Sequence, residues 1–298
     1  LFRISDRRFF APPDIKPVLL LPGYDGGAEW GGTGADPDNG ILYVNSNEMA
    51  WMLQLAENIP GVHETKGAAT YTMLCSSCHQ ADRKGLAASG IPTLIDIGKR
   101  RTRLEIDRTI TNGKGMMTGF PSLNPADKAA LIDFLTGTEK REAGSEAVAE
   151  GGPAYRHTGY QKFLDSNGLP GISPPWGTLN AIDMNTGEYL WKIPYGETLS
   201  LREKGLPTTG SESYGGPVVT ENGLIFIAGT KDQLFRAYTR HSGEKLWETS
   251  LPAAAFATPA TYLVGGKQYV AIACGGEKLG AKKGNEIVAR SEEHTSEL

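Results

Sequence analysis

The chain has three cysteines and five histidines in 298 residues. So small a thiol inventory excludes a disulfide-stapled scaffold, and it leaves no second cysteine pair to complete a closed structural zinc site. Uninterrupted apolar runs of about 18 residues, the length a membrane-spanning helix requires, are absent. Neither sign of charge dominates: 30 Lys and Arg stand against 34 Asp and Glu, a formal net charge of −4. Nothing in that balance marks a surface for nucleic acid or anionic lipid. Turn-forming residues are abundant, with 38 Gly and 18 Pro, which suits a chain that reverses direction often.

Two of the three cysteines fall in one motif, Cys75-Ser76-Ser77-Cys78-His79. Each thiol can form a thioether to a haem vinyl group, and the next residue is placed to ligate the iron. A zinc half-site would need a second ligand pair, and Cys274 is distant and alone. A thioredoxin-like dithiol would need a βαβ context, which is missing. Cys75 and Cys78 are therefore the expected covalent anchors of a haem c, with His79 as an iron ligand. Methionine is the common sixth ligand in cytochromes c. Downstream lies Asn112-Gly113-Lys114-Gly115-Met116-Met117-Thr118-Gly119-Phe120, whose glycines would let the loop approach the haem. In small c-type cytochromes the ligand Met commonly precedes Pro. Thr118 occupies that slot, so Met117 is the first choice and Met116 the alternative. A Met pair can also be simple core packing.

Helical signals flank the motif. Residues 64–75 lack Pro and carry Tyr71 and Leu74 at helical spacing. A second helix is predicted from Asn124 as N-cap with Pro125 at the first helical position. Leu131, Phe134 and Leu135 follow as an apolar face, and Gly137 is a stop. The prediction is an all-α cytochrome c domain over residues 61–138. Its core is small for its length, and covalent haem would add constraint. Residues 139–152, charged and rich in Ala, Gly and Ser, read as a linker.

The remaining sequence is strand-like. Ile41-Leu42-Tyr43-Val44-Asn45, Leu224-Ile225-Phe226-Ile227-Ala228 and Gln268-Tyr269-Val270-Ala271-Ile272-Ala273 are short runs rich in β-branched and aromatic residues. An internal repeat runs from Ala181 to Trp191 and again from Ala237 to Trp247, a period of 56 residues from position 181 to position 237. Both copies read Ala-x-(Asp/Thr)-x-x-x-Gly-x-x-x-Trp. The pattern predicts a strand, a polar turn with Gly at positive φ, and a return strand delivering a Trp that stacks between repeats. Gly31-Gly32 and Gly215-Gly216, each preceding an Asn-Gly pair and an apolar strand, echo the repetition. Four-stranded units at such a period predict a β-propeller; a solenoid is the lesser alternative.

Several segments together resemble the pyrroloquinoline-quinone (PQQ)-dependent dehydrogenases. They are Pro22-Gly23-Tyr24-Asp25-Gly26-Gly27-Ala28-Glu29-Trp30-Gly31-Gly32, Pro174-Pro175-Trp176-Gly177-Thr178-Leu179-Asn180-Ala181-Ile182-Asp183, Gly229-Thr230-Lys231-Asp232, and Ala257-Thr258-Pro259-Ala260-Thr261-Tyr262 with the strand after it. The two Trp repeats resemble that family's tryptophan-docking motifs, with Thr239 replacing the usual Asp. The resemblance covers most of residues 9–60 and 153–289. It implies an all-β propeller fragment, the last blades of an eight-bladed quinoprotein propeller, with an inserted all-α cytochrome c domain. On this division residues 1–60 and 153–289 belong to propeller blades, the latter including the closing blade.

The resemblance further implies a quinohaemoprotein dehydrogenase that oxidises a sugar or alcohol with PQQ and passes electrons to haem c. Glu29 and Trp30 match the stretch beside the quinone, although Trp30 could equally pack between blades. Asp232 reads as a turn-holding residue. Calcium is the usual metal of the family. Its catalytic Asp, its polarising Lys or Arg and most of its metal ligands would precede Leu1, so no catalytic residue is assigned here and the chain reads as a C-terminal fragment. Residues 290–298 depart from the family's closing strand and read as an appended artefact, which leaves His294 without a role. His63, His157 and His241 read as surface or loop residues, and Cys274 as a small buried hydrophobe. The expected partners are a small-molecule substrate and a downstream acceptor, a cytochrome or a quinone. The expected location is the periplasm or the outer face of the bacterial inner membrane, with membrane association left open. The alternative is a c-type electron-transfer protein whose propeller is a non-catalytic scaffold.

Overall fold

The computed structural model describes residues 9–57, 65–86, 90–115, 117–139 and 154–291. The first elements in chain order are β1 (Val18–Leu20), β2 (Gly34–Asp36), β3 (Ile41–Asn47), β4 (Trp51–Leu53) and β5 (Leu55–Glu57). Five helices follow: α1 (Lys66–Leu74), α2 (Ser76–His79), α3 (Ile97–Arg100), α4 (Arg103–Asn112) and α5 (Pro125–Thr136). Then come β6 (Tyr155–His157), β7 (Gln161–Lys162), β8 (Gly177–Asp183), β9 (Tyr189–Pro194), α6 (Leu199–Arg202), β10 (Val218–Val219), β11 (Leu224–Ile227), β12 (Leu234–Thr239), β13 (Lys245–Ser250), β14 (Ala260–Val264), β15 (Lys267–Cys274) and β16 (Glu286–Ser291). Two compact units result, Leu1–Leu19 with Met52–Gln161 and Leu20–Trp51 with Lys162–Leu298. Among the described residues no helix is long and apolar enough to cross a membrane.

The first unit carries the helices α1–α5 and the short antiparallel pair of β5 with β6. Helix α1 starts at Thr65, whose side chain accepts from the Ala68 amide. Helix α5 starts as its sequence predicts: Asn124 accepts from Ala126 N at 2.8 Å, Pro125 opens the helix, and Gly137 ends it in the left-handed region. Helix α4 was not anticipated. It is opened by a capping box in which Thr102 and Glu105 satisfy each other's backbone amides. Ile106 and Ile110 of α4 join Tyr71, Cys75, Leu131, Ile132 and Leu135 in one core. A side chain as fully buried as Leu131 contributes roughly 2–3 kcal/mol. Glu139, expected to open a linker, instead accepts from Thr65 Oγ1 at 2.6 Å and Gly67 N at 2.8 Å. The helix start needs acceptors for its free amides, and this carboxylate supplies one. The rest of the expected linker, residues 140–152, and His63 lie outside the described residues.

The second unit is built of antiparallel sheets in the orders β2-β3-β8-β9, β10-β11-β12-β13 and β14-β15-β16. The first of these is assembled from both sides of the helical stretch: β3 pairs with β8 from Ile41↔Asp183 to Asn47↔Gly177. The 56-residue repeat is reproduced in the geometry. Ala181 lies opposite Trp191 and Ala237 opposite Trp247, and the register shifts immediately after each Ala. Gly187 and Gly243 both adopt positive φ in the intervening turns. Asp183 accepts from the Asn185 amide at 2.8 Å, and Thr239, its replacement in the second copy, accepts from the Ser242 amide at 3.2 Å. A hydroxyl thus does the work of the carboxylate in holding the turn. Trp191 spans to the next copy, donating from Nε1 to Arg240 O at 3.0 Å and lying over Gly243. The Gly pairs also meet: Gly31 bridges Gly215, and a Cβ on Gly31 would come within 2.2 Å of Tyr214 O.

Asp232 is buried in the β-unit as a turn holder, taking bonds from Thr230 Oγ1 at 2.6 Å, Leu234 N at 3.0 Å and Arg236 Nη2 at 2.6 Å. Cys274 is fully buried in the apolar cluster of β12 and β15, and His241 is exposed. His157 departs from the surface-or-loop expectation: it is half-buried in β6, with its ring 5.4 Å from that of Tyr160. Strand β16 runs past Ala289 to pair Arg290 with Val270 and Ser291 with Tyr269. The ladder continues there because β15, eight residues long, still offers partners. Residues 292–298, with His294, lie outside the described residues.

Candidate functional site

In the helical unit the Cys75–His79 motif forms a turn at the end of α1. Cys78 N and His79 N both donate to Cys75 O, at 3.2 and 2.9 Å. Two thiols and an imidazole are thereby gathered on one short helical segment, and all three cysteines of the chain are unpaired. His79 is buried, and its Nδ1 lies 2.9 Å from Pro92 O. A carbonyl only accepts, so Nδ1 carries the proton and Nε2 is left with a free lone pair, the tautomer a metal ligand requires. Burial holds the imidazole pKa below its ordinary value, which favours that neutral form. Burial also pushes the Cys75 thiol up to about 12. A redox dithiol works through thiolate, so this environment opposes the alternative reading of the pair. The buried thiol, the oriented imidazole and the surrounding apolar side chains Tyr71, Ile106, Leu131 and Leu135 fit a covalent haem c, which carries one electron at a time when bound.

Two further contacts fix the motif. Tyr71 donates from its hydroxyl to Gln80 O at 2.6 Å. Gly159, at positive φ, brings its backbone against the turn; a Cβ there would lie 2.1 Å from Ser77 O. The loop of Met117 is closed by its own backbone. Lys114 and Met117 exchange backbone bonds at 3.0 and 3.1 Å. Gly113 and Gly119 pack on the loop's own backbone, where a Cβ on Gly113 would meet Met117 O at 2.3 Å. These glycines let the loop close on itself. Met117 is half-buried, and Met116 lies outside the described residues.

In the β-unit, Glu29 is half-buried and Trp30 is 68% exposed. Around them lies a polar cluster without a local sequence signature. Lys162 Nζ sits 2.6 and 2.5 Å from the two carboxylate oxygens of Glu212, with both side chains largely buried. Lys162 also lies 5.4 Å from the centre of the Trp51 ring. Asp25 faces Glu212 and Tyr214, and its Oδ2 is buried without a hydrogen-bond partner. Burial pushes the Glu212 carboxyl up against the pull of Lys162, and the neighbouring Asp25 carboxyl adds to the rise. Burial likewise raises Glu29. Lys278 Nζ stands 3.4 Å above the centre of the Tyr214 ring and 5.6 Å from that of Trp30. The exposed indole face, the orphaned carboxylate oxygen and the nearby ammonium fit a planar polar ligand better than a closed structural core. Among the described residues no group of three or more His, Cys, Asp or Glu side chains forms a metal-ion site.

A haem-attachment module and repeated four-stranded sheets define a class, the quinoprotein dehydrogenases with a cytochrome domain. The chain belongs to the PQQ family: residues 2–89 and 117–270 match the glucose/ethanol/alcohol dehydrogenase β-propeller domain. Residues 63–135 match the family of cytochrome c oxidase, cbb3-type, subunit III. The chain is 38% identical over 296 residues to quinoprotein glucose dehydrogenase A of Acinetobacter calcoaceticus, covering 96% of this chain and 27% of that protein. It is 30% identical over 290 residues to the quinoprotein glucose dehydrogenase of Escherichia coli (strain K12), covering 94% and 27%. To the quinohemoprotein alcohol dehydrogenase of Comamonas testosteroni it is 30% identical over 118 residues, covering 40% and 14%. The chain thus spans about a quarter or less of the length of these relatives.

Proposed function

We propose that the chain serves a quinohaemoprotein dehydrogenase that oxidises a sugar or an alcohol with PQQ and passes the electrons to haem c. One observation carries this reading. The Cys75-x-x-Cys78-His79 module lies in the chain between β3 and β8, two paired strands of one sheet in a PQQ-family protein. Two redox carriers are thereby encoded in one polypeptide. PQQ, when bound, accepts two electrons from a substrate carbon. The residues of this chain have separate tasks: Cys75 and Cys78 anchor the haem, His79 and Met117 (Met116 as alternative) ligate its iron, and Glu29 and Trp30 line the quinone. The substrate classes follow the relatives, which are named as glucose, glycerol and alcohol dehydrogenases. The remaining parts of the proposal are an eight-bladed ring completed by further blades, calcium with most of its ligands outside this chain, and a location in the periplasm or at the outer face of the bacterial inner membrane. The cytochrome domain is assigned to residues 61–138, the linker to residues 139–152 and the closing blade to the end of residues 153–289.

The test is reduction of the haem by substrate. The intact protein, loaded with PQQ and Ca2+, is mixed with a panel of sugars and alcohols while the ferrous haem spectrum is followed. Reduction by at least one substrate, dependent on PQQ, is expected. Covalent haem that no substrate reduces would favour the electron-transfer protein with a scaffold propeller.

A further inference from the structure

Lys278 is held by aromatic faces rather than by a carboxylate. Its ammonium lies against the faces of Tyr214 and Trp30. Among the described residues no carbonyl, hydroxyl or carboxylate accepts a hydrogen bond from it, and it forms no ion pair. The neighbouring cation is different: Lys162 is committed to both oxygens of Glu212. The three N–H donors of this half-buried cation are thus uncommitted to any acceptor among the described residues. Burial pushes the Lys278 amine below its ordinary range, against the pull of Glu29, Asp25 and Glu212.

The backbone that carries Lys278 is unusual as well. Gly276, Glu277, Leu279 and Gly280 all have positive φ, and two of these four are not glycine. Such conformations persist only where the surroundings over-determine them. Here they do. Gly276 N donates to Ala254 O at 2.9 Å and Gly284 N to Gly275 O at 2.8 Å. Leu279 packs into the cluster of Tyr214, Ala254 and Phe256. The turn therefore presents Lys278 from a fixed base, beside an indole with two-thirds of its surface open. A flat aromatic face next to an ammonium that contacts rings but no hydrogen-bond acceptor suits a planar ring that bears a carboxylate.

We propose that Lys278 holds a carboxylate of the quinone cofactor while Trp30 offers the ring a stacking face. This rests on the dehydrogenase reading above and adds a cofactor-positioning residue from the turn between β15 and β16. The intact apoprotein is titrated with PQQ while quenching of tryptophan fluorescence is recorded. Lys278→Met should weaken binding by roughly ten- to a hundred-fold, the worth of one charge-assisted hydrogen bond. Lys278→Arg, which keeps charge and donors, should stay within a few-fold of wild type. Far-UV circular dichroism and covalent haem content report that the variants are folded; were Lys278→Met misfolded, Lys278→Gln carries the same expectation. Unchanged PQQ affinity in the folded neutral variants would overturn the proposal. So would unchanged PQQ affinity with a raised KM confined to carboxylate-bearing substrates, which would place the ammonium on the substrate instead. If wild type itself failed to quench, the dehydrogenase reading would fall rather than the role of Lys278 within it.

Discussion

The two candidate sites are built in opposite ways. The haem motif takes its chemistry from five consecutive residues on one turn, with His79 oriented by Pro92 thirteen residues on. The polar cluster draws Asp25, Lys162, Glu212 and Lys278 from four separate stretches, brought together by sheet pairing and by the fixed turn after β15. The first depends on covalent neighbours, so local sequence specifies it. The second depends on the fold, so its parts have meaning only after the sheets have formed.

That contrast can be broken by experiment. The largest effect is expected at the local site: Cys75→Ala with Cys78→Ala should abolish covalent haem entirely. Haem that remains on the polypeptide after denaturation would refute the attachment. At the assembled site, Lys162→Met strands a buried carboxylate and should cost about 3 kcal/mol in urea unfolding. Haem staining of the same variant should be unchanged; joint loss would show that the two sites are not independent. A finer comparison uses the repeat. Gly187 and Gly243 share positive φ, but a Cβ on Gly187 meets nothing while one on Gly243 comes within 2.8 Å of the Trp191 ring. Gly187→Ala should cost about 1–2 kcal/mol from backbone strain alone. Gly243→Ala should exceed it by at least about 1 kcal/mol from overpacking, and equal losses would remove Trp191 from the contact between repeats.

The smallest effect concerns pH. The Asn39 side chain, with Arg240 helping, holds the Asp36 carboxyl below its ordinary value of 3.8. A lowered folded-state pKa gives stability that is present above that value and lost as pH falls through the folded one. Asp36→Asn should therefore flatten the acid limb of the stability curve, read from urea midpoints across pH. An unchanged limb would mean that other carboxylates carry it.

Legibility in the sequence follows the same division. The motif, the Asn124-Pro125 helix start, the Gly137 stop and the Ala-to-Trp repeat are local patterns, and the structure reproduces the last three directly. Helix α4 was also legible, since Thr102 and Glu105 frame a capping box before Ile106 and Ile110, but its weak apolar stripe hid it. The Met117 glycines mark a tight loop, as Gly113 packed on Met117 O shows, but spacing alone does not say what else the loop faces. Lys162, Glu212 and Lys278 could not be singled out, because an isolated charge has no period and its partner lies dozens of residues away. The β3–β8 pairing was equally hidden, since hydrogen-bond register between distant strands leaves no mark on either one.

That pairing also orders the birth of the protein. Strand β3 leaves the ribosome 130 residues before its partner, counting from Asn47 to Gly177. Until β8 arrives, one edge of β3 has no ladder, and contacts so distant in sequence form late. The helical module between them, whose contacts are local, can fold in that interval. A chain stalled in that interval would leave β3 waiting with an exposed edge, the kind that seeds aggregation.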